Sequence, residues 1–98
     1  MNRRSLLFLS AADVHTALPM REAVDAMKAA FAALSADEAV GPLRSHVATA
    51  RGDLLIMPCH LPCRDLLSLK AVTIFDGNPA LGLPRIQALV TLMDGSDG

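Results

Sequence analysis

Lys70 falls in the middle of residues 66–75, Leu-Leu-Ser-Leu-Lys-Ala-Val-Thr-Ile-Phe, a run that otherwise reads as one apolar β-strand. Burying an unpaired ammonium is costly, so this side chain must be paired, desolvated, or aimed into a wet cleft. The only other lysine is Lys28, so scattered surface charge does not account for it. The plain reading is an edge-strand lysine snorkelling to water, or half of a structural salt bridge. The functional reading is a lysine at a cleft floor that polarises a substrate or exchanges a proton with it. Both predict restricted solvent access. Arg44 is the second candidate. Residues 43–50 alternate as a strand, which sends Arg44, His46, Ala48 and Ala50 to one side. The arginine fork suits a carboxylate and keeps its charge at any ordinary pH, although a solvated arginine on an open sheet face fits the same spacing.

Other constellations are weaker. Cys59-His60-Leu61-Pro62-Cys63, with His46 as a fourth donor, suggests zinc. The spacing is not the CxxC knuckle, there is no second cysteine pair, and adjacent Cys and His ligands are awkward, so no metal is expected. A nucleophilic cysteine lacks a helix N-terminus or a clear histidine partner, and both thiols are expected to be free. His15 reads as a surface residue. No Gly-x-Gly-x-x-Gly follows a strand, and neither a Walker loop nor a Gly-x-Ser-x-Gly elbow is present. Prolines interrupt the glycines of residues 77–82 and a strand follows, so no phosphate cradle is expected.

The elements that must position these side chains follow from pattern. Residues 6–9 read as a short buried strand, and Ser10-Ala11-Ala12-Asp13 has capping-box spacing ahead of a short helix over 11–18. Pro19 suits the first position of the next helix. From 20 to 36 the apolar positions Ala23, Val24, Met27, Ala30, Phe31 and Leu34 recur at three and four residues, giving one helical face. Gly41-Pro42 ends the helical region. Residues 43–50 and 54–57 read as strands joined at Arg51-Gly52-Asp53, with Pro58 closing the second. The Lys70 strand, a turn-rich loop over 76–84 and a strand over 89–93 come next, and residues 94–98 form a turn that would lead into one more antiparallel strand. The order predicts an α+β fold with a mixed or antiparallel sheet packed with the N-terminal helices.

Composition bounds the function. Ninety-eight residues make one small domain. Apolar residues reach 52% with three aromatics, which is high for a small monomer and points to apolar surface meeting another subunit or domain. The net charge of −1 comes without a basic run, which argues against nucleic acid. Arg3-Arg4 and the apolar residues after them superficially resemble a twin-arginine export signal, but Asp13 and His15 interrupt the run. No stretch approaches the length of a bilayer span. A cytoplasmic protein is expected.

Taken in order, Met20-Arg21-Glu22-Ala23-Val24 through Phe31, Pro42-Leu43-Arg44, Leu55-Ile56-Met57-Pro58, Leu69-Lys70-Ala71-Val72, Gly77-Asn78-Pro79, Gly82-Leu83-Pro84 and Leu92-Met93-Asp94 resemble the N-terminal part of the ornithine cyclodeaminase and mu-crystallin family. The resemblance implies that residues 1–98 are the N-terminal part of a substrate-binding and dimerisation domain, with the Rossmann domain outside this chain. It implies an NAD(P)-dependent enzyme of amino or imino acids, whether an ornithine cyclodeaminase (a lyase), a ketimine or pyrroline-2-carboxylate reductase, or an alanine-type dehydrogenase. A small amino or imino acid would be the substrate, NAD or NADP the cofactor of the full-length protein, and a homodimer the assembly. It matches Arg44 to the carboxylate anchor, Lys70 to the lysine beside the reacting carbon, and Met57 to the pocket lining. A truncated chain of this kind would be inactive alone. Cys59-His60 departs from the small–aromatic pair common after Met57-Pro58, which bears on pocket shape. Two rival classes remain, a non-catalytic dimerisation or small-ligand-binding module and a small zinc module.

Overall fold

The computed structural model describes residues 5–98, so Arg3 and Arg4 lie outside the described residues. The chain divides into two compact units, Met1–Ala33 and Leu34–Gly98.

In the first unit, residues 6–9 form no strand and are exposed, Leu6 by 89%. The expected buried strand is thus overturned, because no strand among the described residues takes up its backbone groups. Helix α1 (Ala11–Ala17) starts where the spacing requires. The Ser10 hydroxyl accepts from the Asp13 N–H at 3.1 Å, and the Asp13 carboxylate accepts from the Ser10 N–H at 2.9 Å. This reciprocal capping box satisfies two orphan donors, and the Ser10 backbone N–H, then its hydroxyl, hold the Asp13 carboxyl below its ordinary range. Helix α2 (Met20–Ser35) begins one residue after Pro19, whose carbonyl accepts the first helical bond from Ala23 at 3.0 Å. Met20, Ala23, Val24, Met27 and Phe31 line an open apolar groove along it, and Phe31 remains 64% exposed. Helix formation here follows from the apolar spacing and the alanine-rich sequence rather than from burial.

The second unit is a four-stranded antiparallel sheet in the order β1 (Ser45–Ala48), β2 (Asp53–Leu61), β3 (Leu66–Ile74), β4 (Ile86–Asp94). Three expected boundaries change. The first strand is four residues long, so Arg44 precedes it instead of lying within it. The last strand begins at Ile86, three residues early. The second does not close at Pro58 but runs on to Leu61. The reason lies in hydrogen-bond direction. The N–H of His60 points to the β1 side, where it donates to Val40 at 2.8 Å. Pro58, two residues earlier, turns its donor-less nitrogen the same way. It lies between the end of the β1 ladder at Ser45 and Ile56 and the Val40–His60 bridge, and is therefore tolerated.

A 3-10 turn (Pro62–Arg64) joins β2 to β3, and a second (Asn78–Leu81) ends on Gly82, whose φ of +73° favours glycine. Past β4, the Gly95 N–H donates to the Asp65 carbonyl at 2.7 Å, and Asp94 and Ser96 form the expected turn. Little of the sheet is covered. Among the described residues of this unit, Val72 is the one buried hydrophobic side chain. Ile86, Leu89, Val90 and Leu92 on β4 are 53–67% exposed. Covering what they expose is worth about 4–7 kcal/mol at roughly 1.5–3 kcal/mol per buried side chain, comparable to the whole stability of a small domain. No helix among the described residues is long and apolar enough to cross a membrane.

Candidate functional site

Register places the sequence candidates. Met57 pairs directly with Lys70, and Lys70 with Val90. Residues opposite one another in a ladder carry their side chains on the same face, so Met57, Lys70 and Val90 form one row. The β1 ladder ends at Ser45 opposite Ile56. Arg44 is the next residue outward, outside the ladder, and the next bridge, Val40 with His60, is one residue out of that register. β2 lies between β1, which Arg44 precedes, and the Lys70 strand, so two strand spacings, about 10 Å, separate β1 from β3. Two long cationic side chains in this part of the sheet suit a small anion that carries a carboxylate.

Two plain readings of Lys70 fail. It is on neither edge, because β3 is paired on both sides. It also has no side-chain ion-pair or hydrogen-bond partner among the described residues, and neither does Arg44. The restricted access expected for Lys70 is not found either: Lys70 is exposed, and so is Arg44. His46 pairs with Leu55 and so lies on the Met57–Lys70 face. The His46 Nε2 lies 2.6 Å from the Asp53 carboxylate, a pair more than two-fifths exposed that ties the β1–β2 hairpin together at the end away from Arg44.

The Cys-His cluster is dispersed. Cys59 pairs with Ser68 and lies on the Lys70 face, whereas His60, the next residue along β2, lies on the opposite face. No group of His, Cys, Asp and Glu that could hold a metal occurs among the described residues, and both thiols are free. An apolar groove is lined by Pro58, His60, Leu67, Leu69 and Met93 of the reverse face together with Val40, Pro42, Cys59 and Ser68. Residues 77–82, which hold Gly77 and Gly82, form a 3-10 turn followed by β4. No strand, glycine-rich turn and helix succeed one another among the described residues, so this chain's own residues do not fit a dinucleotide.

Reading the sequence strand by strand left out the neighbours of Lys70 on its own face, namely Val90, Ser68 and Cys59. A signal for two of them was present. Centring a hairpin on residues 62–65 pairs 61 with 66, and counting outward puts 57 opposite 70 and 59 opposite 68.

The Ornithine cyclodeaminase/mu-crystallin family model matches residues 4–98. The chain is 34% identical over 92 residues to an alanine dehydrogenase of Archaeoglobus fulgidus, covering 94% of this chain and 28% of that protein. Among solved structures it resembles an archaeal alanine dehydrogenase dimer with bound NAD at a TM-score of 0.83 and 33% identity, over 90% of this chain and 27% of the other. It also resembles the Thermococcus litoralis Δ1-pyrroline-2-carboxylate reductase in complex with NADH and L-proline, with a TM-score of 0.90 and 30% identity, over 95% of this chain and 29% of that one. The chain therefore spans less than a third of the length of each of these relatives.

Proposed function

The chain belongs to the ornithine cyclodeaminase/mu-crystallin family, and from that premise we propose that it supplies the substrate-binding half of an NAD(P)-dependent amino or imino acid enzyme. The observation carrying this reading is the Met57–Lys70 pair, with Arg44 just before the start of β1 and both cations exposed and without a side-chain partner among the described residues. Arg44 holds the substrate carboxylate through a two-pronged, charge-assisted hydrogen bond. Met57 forms the apolar floor beneath the carbon next to that carboxylate. Lys70 meets the amino or imino nitrogen, where its ammonium donates to an imine and makes the adjacent carbon more electrophilic, and takes a proton back in the reverse direction. A nicotinamide, NAD or NADP, would provide the hydride chemistry. It would be held by a Rossmann domain outside residues 1–98, since these residues provide no cradle for it. Cyclic imino acid reduction, amino acid dehydrogenation and cyclodeamination all place a carboxylate and a nitrogen in this arrangement; the relative crystallised with NADH and L-proline favours the first.

In the same reading, residues 1–98 are the N-terminal part of a substrate-binding and dimerisation domain, and the protein is a cytoplasmic homodimer. The exposed apolar side chains of β4 support association, as does the dimer described for the archaeal alanine dehydrogenase. The test is steady-state kinetics of NADH- and NADPH-dependent reduction of cyclic imino acids by the full-length protein and its Arg44→Ala variant. Losing charged hydrogen bonds of about 1.5–3 kcal/mol lowers kcat/KM by roughly 10- to 100-fold. Unchanged kinetics for carboxylate substrates would rule out the clamp.

A further inference from the structure

The floor around Lys70 is not symmetric along the strands. One step toward the β1–β2 hairpin, the row on the Lys70 face runs Leu55, Val72 and Ala88, so β2 and β3 present bulky side chains there, Val72 buried. One step the other way, the row runs Cys59, Ser68 and Leu92, so β2 and β3 present two small, half-buried side chains directly paired with each other, with Leu92 at the β4 end. Arg44 and Lys70 fix the line between carboxylate and reacting carbon across the strands, so the rest of the substrate must extend along them. Toward the hairpin it meets branched carbon and the tied His46–Asp53 pair. Toward Cys59 and Ser68 the side chains of β2 and β3 are short, and the Ser68 hydroxyl has no side-chain hydrogen-bond partner among the described residues.

We propose that Cys59 and Ser68 form the pocket wall that sets how large a substrate side chain or ring fits beside Lys70. The inference rests on the carboxylate-binding reading given above. Its ligand class is the unbranched amino acid, or the cyclic imino acid derived from one, with the chain or ring lying over the 59–68 pair. His60 takes no part, since it lies on the other face.

The experiment compares kcat/KM for five-membered and six-membered cyclic imino acids in the full-length protein and in the Cys59→Leu, Ser68→Val and Ser68→Ala variants, with Cys63→Leu as the control on an exposed turn. A methylene more or less in an apolar pocket changes discrimination by roughly 10- to 200-fold. Cys59→Leu and Ser68→Val should therefore raise the preference for the smaller ring about tenfold or more, while Ser68→Ala and Cys63→Leu leave the ratio within about twofold. If Cys59→Leu fails to fold, as judged by circular dichroism, Ser68→Val alone decides. An unchanged ratio in the folded enlarging variants, or an equal change in Cys63→Leu, overturns the wall while leaving the clamp intact. A wild-type protein that turns over neither ring and no open-chain amino acid overturns the carboxylate reading itself, and the wall with it.

Discussion

Gly52 links the stability of the sheet to the placement of Arg44. It sits in the β1–β2 turn, where the Thr49 hydroxyl accepts from its N–H at 3.0 Å and the Thr49 N–H donates to its carbonyl at 2.8 Å. A Cβ added there would lie 2.5 Å from the Ile74 carbonyl oxygen and 2.6 Å from the Phe75 ring. Ordinary carbon contacts begin above 3 Å, so something must move by roughly half an ångström or more. The oxygen cannot yield cheaply, since it belongs to the end of the β3 backbone. The hairpin must tilt or Phe75 must change rotamer, at a cost of about 1–3 kcal/mol, a large share of a typical 5–15 kcal/mol stability. Gly77 is the contrasting case: its φ of −79° suits any residue and an added Cβ meets nothing within 4 Å. There, Gly→Ala should stabilise by about 0.4–1 kcal/mol by restricting the unfolded chain. Urea unfolding of the protein and both variants compares the two signs. Since the β1–β2 hairpin carries Arg44, Gly52→Ala should also raise KM for a carboxylate substrate more than Gly77→Ala does. If Gly52→Ala proved as stable as the parent, with an unchanged KM, the close approach of this turn to β3 would be refuted.

Other expectations follow from single contacts. Replacing Pro58 with Ala should change stability by less than about 0.5 kcal/mol, because the restored N–H faces a gap in the ladder. His60→Pro should cost at least about 1 kcal/mol by deleting the bond to Val40; equal effects on urea midpoints would contradict the hydrogen-bond direction inferred for β2. Asp13 is held below its ordinary range by Ser10, so its contribution to α1 is fully present above its unfolded value near 3.8 and disappears as pH falls through the lower folded value. An NMR titration of the Asp13 side chain with a midpoint at or above 3.8 would contradict the capping box. Breaking the half-exposed His46–Asp53 pair with Asp53→Asn should cost under about 1 kcal/mol, and a larger loss in thermal unfolding would mean the pair is more shielded than its exposure indicates.

Local physics made much of this protein legible from its residues alone. The Ser10–Asp13 spacing specified a helix start, apolar recurrence specified α2, and glycine and proline marked nearly every turn, because these effects act over four residues or fewer. Lys70 could be singled out for the same reason: a charge inside an apolar run is visible without knowing what lies across from it. The ordered motifs identified the family. Where reading failed, the deciding group was distant in sequence. Residues 6–9 have the composition of a strand but no partner strand, and Pro58 looks terminal until the side of β2 its nitrogen faces is known. Only the ladder register placed Met57 opposite Lys70 and sent Cys59 to the Lys70 face and His60 to the reverse. A one-residue slip in pairing would exchange the two faces, so which side chains share a site with Lys70 is a property of strand pairing.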